Sequence, residues 1–70
     1  MNDQLNERVI ELLRSKPLFL LCDDCISKRL GAPRTDVADA TRPLEGVAGF
    51  MRDEANCMDC GTYTEVTWAT

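Results

Sequence analysis

This chain of 70 residues has no histidine, one tryptophan, one tyrosine, two phenylalanines and no basic residue after Arg52. The missing histidine removes the side chain that most often serves as acid, base or metal ligand near neutral pH. Any general acid–base chemistry falls to Asp and Glu. Long apolar runs are also missing. Within the first 21 residues the one apolar run is Leu18-Phe19-Leu20-Leu21. A secretory leader needs about 7–15 apolar residues and a spanning helix about 20. The expectation is no membrane segment and a cytosolic setting, where thiols stay reduced. An excess of positive charge is absent too. Eight Lys and Arg stand against twelve Asp and Glu, a formal net charge of −4. Non-specific nucleic-acid binders usually carry a basic face.

What the chain does have is four cysteines in two matched pairs: Cys22-Asp23-Asp24-Cys25 and Cys57-Met58-Asp59-Cys60, with Gly61 following at once. A chain this short buries only about 60% of its unfolded surface and is marginal without a staple. A CxxC disulfide closes too small a loop to constrain the unfolded chain much. Two CxxC pairs predict one tetrahedral thiolate site, Cys22, Cys25, Cys57 and Cys60, holding one Zn2+ per chain. Iron, a redox dithiol and cross-paired disulfides are the alternatives. Four thiolates and one Zn2+ bring the net charge near −6. A closed set of four ligands leaves no position for a water, so catalytic zinc is not expected. No small-molecule substrate is evident.

The remaining elements are read from periodicity and punctuation. Residues 3–15 carry Leu5, Val9, Leu12 and Leu13 on one helical face, with Ile10 beside them, Asn2 or Asp3 as cap and Pro17 as stop. Leu18–Leu21 is either a short buried strand or the lead-in to a second helix, and the lead-in is preferred. Asp23 to Gly31 reads as a helix with acids first, bases last and Gly31 in the left-handed closing position. Cys22 and Cys25 then sit at a helix N-terminus, where amides favour thiolate. Asp23 and Asp24 read as first-turn residues rather than a catalytic pair. Ala32-Pro33-Arg34 is a turn and Thr35 the cap of a third helix with Asp36 in its first turn. Val37, Ala40, Leu44 and Val47 form its apolar face, and Pro43 kinks or divides it. Gly49–Glu54 and Thr62–Trp68 read as a hairpin with Cys57 and Cys60 at its tip. Thr64, Val66 and Trp68 are expected to face the core, with Tyr63, Glu65 and Thr67 outward.

The expected fold is α+β: three helices and a C-terminal β-hairpin in a single domain spanning residues 1–70. That order resembles a winged helix-turn-helix over about residues 3–69. Cys25-Ile26-Ser27-Lys28-Arg29-Leu30-Gly31 is similar to the motif's first helix and Ala32-Pro33-Arg34 to its turn. Thr35 onward resembles a recognition helix, and Gly49-Phe50-Met51-Arg52 the start of a wing. The resemblance implies a helix in the DNA major groove. Carried over, it places Arg34, Thr35, Asp39 and Arg42 on or near the exposed face, and together with the basic middle of the chain it makes Lys28, Arg29, Arg34, Thr35 and Arg42 the candidates for binding nucleic acid or a partner. Residues 26–52 hold five basic against three acidic side chains, the one stretch with positive charge. The sequence departs from the family pattern at Pro43 and in the acidic wing residues Asp53, Glu54 and Asp59.

Thirty-one residues separate Cys25 from Cys57, against about 15–20 in compact ribbons built on two CxxC pairs. The metal is therefore expected to clasp a helix start to a hairpin tip. The functional expectation is a zinc-stabilised, non-enzymatic binding module, a DNA-binding or transcription-regulatory protein. A protein–protein adaptor is the first alternative and a thiol/zinc redox switch the second.

Overall fold

The computed structural model describes residues 3–70. Asn2 and the side chain of Asp3, the expected caps of the first helix, lie outside what is described. Helix α1 runs from Asp3 to Ser15. Leu5, Val9 and Leu13 are buried along one stripe, with Ile10 and Leu12 half-buried beside it. The helix ends two residues before Pro17, since the residue preceding a proline resists helical geometry.

The apolar stretch after Pro17 is not a helical lead-in. Leu21–Cys22 form a two-residue strand, β1, paired antiparallel with the C-terminal strand in the register Leu21↔Thr67 and Cys22↔Val66. Leu18 continues that contact by donating its N–H to Ala69 O at 2.8 Å. A run of four apolar residues has no period to separate strand from helix. The open edge of the C-terminal strand decides. The same geometry forces Leu18 to φ 63° with its side chain 62% exposed.

Helix α2, Asp23–Leu30, follows β1 without a linker. It closes on Gly31 at φ 65°, ψ 34°, whose N–H reaches Ser27 O. This left-handed position costs a residue with a Cβ about 1–2 kcal/mol, which glycine avoids. Helix α3, Arg34–Thr41, starts two residues earlier than the sequence suggests. Pro33, not Thr35, holds the N-cap position, and no side-chain cap forms. Proline lacks an N–H and its fixed φ suits the residue before a first turn. At the other end Pro43 cannot donate to Asp39 O, so α3 gives way to a 3-10 turn at Arg42–Leu44. Val37, Ala40 and Leu44 are buried as expected. Val47 is not, at 43% exposed, because the helical face ends before it.

Strands β2, Phe50–Asn56, and β3, Tyr63–Ala69, form the hairpin, paired from Phe50↔Ala69 to Asn56↔Tyr63. The sheet order is β1-β3-β2, all antiparallel. β3 is thus the central strand, and this corrects the expectation for Thr67. Its side chain is fully buried rather than outward, between Leu21 on one side and Arg52 on the other. Arg52 Nε satisfies its hydroxyl at 3.1 Å. Val66 is buried, Thr64 and Trp68 half-buried, and Tyr63 and Glu65 exposed.

The described residues make a small α+β domain of three α-helices, a 3-10 turn and a three-stranded antiparallel sheet. α1 packs on α3 and β3, and α2 on α3 and β1. Val9, Leu13, Leu21, Ile26, Val37 and Val66 are its fully buried centre. Among the described residues no helix is long and apolar enough to cross a membrane.

Candidate metal centre

Each cysteine is set by the backbone that carries it. Cys22 closes β1 and caps α2 (φ −80°, ψ 161°), and its Sγ accepts the N–H of Cys25 at 3.4 Å. Cys25 lies in the first turn of α2, three residues on, which returns its side chain to the same side. Cys57 follows β2 directly. Its N–H bonds Thr62 O at 2.9 Å, and its carbonyl takes the N–H of Gly61 at 2.8 Å. Gly61 holds φ 79°, which lets the chain curl back under Cys60 into β3.

These turns bring the four sulfurs together. Sγ of Cys22 and Cys60 are 3.8 Å apart, those of Cys25 and Cys57 3.6 Å, and all four lie within 4.8 Å of one another. All four cysteines are free thiols. A tetrahedron with Zn–S bonds of about 2.3 Å has sulfur–sulfur edges of about 3.8 Å. The residues present therefore fit a four-thiolate metal ion. Cys22, Cys25 and Cys57 are buried and Cys60 faces solvent.

The electrostatics divide the site in two. Burial works against ionising Cys57. The amides of Cys60, Cys22 and Asp59 outweigh it and bring its thiol down to about 6. The Cys22 N–H is one of these donors, at 3.4 Å. The Thr62 hydroxyl, with the Thr62 amide, lowers Cys60. Burial raises Cys22 and Cys25, and the sulfurs of Cys57 and Cys60 add to the rise at both, while the Cys25 amide works against it at Cys22. Hydrogen bonding thus lowers the hairpin pair while burial raises the helix pair, and a bound metal would supply the central cation that favours thiolate at all four.

Contacts around the sulfurs tie the clasp to the fold, and sequence reasoning missed them. Met58 N–H donates to Leu20 O at 2.8 Å, and Leu20 N–H to Met58 Sδ at 3.3 Å. Arg29 of α2 pairs with Asp59 at 3.3 Å, and that guanidinium holds the Asp59 carboxyl below its ordinary value. Thr41, at the end of α3, donates its hydroxyl to Asp23 at 2.8 Å. The signal for these was the identity of the residues inside each CxxC, which the spacing argument passed over.

The other residues singled out from the sequence do not meet in one basic patch. Lys28 pairs with Asp24 at 3.7 Å, Arg29 with Asp59, and Arg42 with Asp39 at 3.8 Å. Arg34 is exposed at the start of α3, lining a cleft beside Cys60 with Asp23, Asp24 and Glu65. Thr35 is exposed on the same helix. Comparison with protein-family models, with curated proteins and with solved structures finds no match to this chain.

Proposed function

We propose that this chain is a zinc-stabilised, non-enzymatic binding module whose partner is a protein. The observation that carries the reading is the closed set of four sulfurs within 4.8 Å. Tetrahedral four-sulfur donor sets suit zinc, and with every position filled such a site is structural. Function then belongs to the surface that the metal holds in place. What favours a protein partner is charge. Lys28, Arg29, Arg42 and Arg52 are each engaged by a carboxylate of the same chain. Residues 53–70 carry four acidic side chains and no basic one. Such a surface repels a polyanion and attracts cationic segments. The test is fluorescence anisotropy of mixed duplex DNA at low salt with the zinc-loaded chain. The reading requires no binding at high-micromolar protein, and salt-sensitive duplex binding would refute it.

A DNA-binding reading has its own support. What supports it is the order of two helices, a turn, a third helix and a C-terminal hairpin on which the winged helix-turn-helix resemblance rests, with Arg34 and Thr35 exposed on α3. On that reading Arg34→Ala and Arg42→Ala each weaken duplex binding and lower its salt dependence by about one counterion.

A further inference from the structure

Among the described residues β2 is an edge strand whose one neighbour is β3. Cys57 N–H bonds Thr62 O, and Thr70 N–H bonds Gly49 O. Both pairs lie on the hairpin register, so the bonded pairs fall on Met51, Asp53 and Ala55. The backbone groups of Phe50, Arg52, Glu54 and Asn56 therefore point away from the sheet. Phe50 N–H is taken by Val47 O, and Glu54 N–H by the Asp53 carboxylate at 2.8 Å. Among the described residues, the N–H groups of Arg52 and Asn56 and the carbonyls of Arg52, Glu54 and Asn56 remain along an open edge.

Natural edge strands are commonly blunted by charged side chains, above all lysine, by proline, by a bulge or by an inward-pointing charge. β2 has no lysine, proline or bulge, and its pairing with β3 runs unbroken over seven residues. The charges its edge exposes are the acidic Asp53 and Glu54, which turn away acidic strands and leave a cationic one admissible. Its one cation is drawn inward. The Arg52 side chain is 4% exposed and held by Glu65 at 2.9 Å and Glu45 at 3.8 Å. At the Phe50 end a cleft opens between Glu45 and Met51, where Val47 and Met51 leave apolar surface exposed.

We infer that the edge of β2 is a docking strand for an extended, lysine- or arginine-rich segment of a partner protein, which adds to the sheet as a fourth strand. Backbone pairing with Arg52, Glu54 and Asn56 supplies the affinity common to strand addition, and side chains supply the selection. Cationic side chains of the segment meet Asp53 on one face and Glu54 on the other. An apolar side chain near one end seats against Val47 and Met51. A second copy of this chain fits poorly. Antiparallel self-pairing about Asp53 sets that carboxylate against its own copy, and it places Glu54 opposite an Arg52 already held by two carboxylates. Like charges directly opposite are destabilising.

This inference rests on the protein-partner reading, and one experiment separates the two. Nitrogen-15 spectra of the zinc-loaded full chain are recorded with a synthetic peptide of alternating lysine and valine, with its glutamate–valine counterpart, and with duplex DNA. The expected result is shifts concentrated at residues 52–56 with the lysine peptide alone, together with slowed exchange of the Arg52 and Asn56 amides. The double variant Asp53→Lys, Glu54→Lys reverses two exposed charges and weakens that binding about tenfold. Silence with the lysine peptide, shifts on α3 in place of β2, or undiminished binding by the double variant overturns the edge assignment alone. Salt-sensitive shifts on α3 with duplex, and none with peptide, overturn the protein reading as well. A dimer in sedimentation with β2 amides protected before peptide is added assigns the edge to a second copy and also overturns the inference.

Discussion

The sulfurs of Cys22 and Cys60 stand 3.8 Å apart although 38 positions separate them in the chain. One ends the shortest strand and opens α2, and the other lies in the turn between β2 and β3. Whatever joins them joins the helical half of the domain to the hairpin. A 70-residue core offers limited stability by itself, so most of the stability is expected to lie at this junction.

Removing a ligand should therefore unfold the domain rather than soften it. Structural zinc contributes about 10–16 kcal/mol in small zinc-dependent folds, as much as or more than the roughly 5–15 kcal/mol net stability of a typical domain. Cys57→Ser is expected to abolish metal retention and collapse the helical circular dichroism at 25 °C. A strong chelator should do the same to the parent chain, reversibly on adding zinc. A chain that keeps its spectrum after chelation would put the stability in the apolar core instead.

Arg52 is a second point of dependence. Its guanidinium is buried over Thr67, whose hydroxyl it satisfies, and it reaches Glu65 and Glu45. Arg52→Ala leaves the Thr67 hydroxyl buried without that donor and strips the packing of the arginine stem, at an expected cost of about 2–3 kcal/mol. Arg52→Lys should recover less than half, because an ammonium lacks the planar fork that serves three acceptors. Urea midpoints with zinc in excess measure both.

Leu18 runs the other way. A leucine at φ 63° with most of its side chain in solvent pays for a turn without packing in return. Leu18→Gly relieves a strain of about 1–2 kcal/mol, offset in part by the extra freedom glycine has when unfolded. The expected net gain is about 0.5–1 kcal/mol, a rise of a few degrees in Tm for a domain of this size. A fall in Tm would mean that the Leu18 side chain packs more firmly than its exposure indicates.

Thr41 links α3 to the first CxxC through Asp23. Thr41→Val keeps the shape and removes the hydroxyl, so stability should drop by about 1 kcal/mol. Competition with a chromophoric chelator should also show faster zinc exchange, because Asp23 adjoins Cys22. An unchanged exchange rate would confine Thr41 to the core.

Much of this was legible in the sequence. The α1 stripe, the close of α2 at Gly31, the hairpin and the four gathered cysteines follow from local rules of period, capping and spacing. What escaped depended on partners distant in the chain. Leu21 and Cys22 become a strand because β3 offers an edge some 45 residues away. Thr67 is buried because that third strand makes β3 central. Thr35 fails as a cap because Pro33 had already set the backbone two residues earlier. The basic residues 28, 29 and 42 looked available as a list, and only their folded positions place a carboxylate beside each.

Zinc binding by the four cysteines is tested by native mass spectrometry of the purified full chain beside its denatured mass. One zinc per chain is expected under native conditions, lost on denaturation to leave four free thiols. A native chain without metal whose cysteines are joined in disulfides would contradict it.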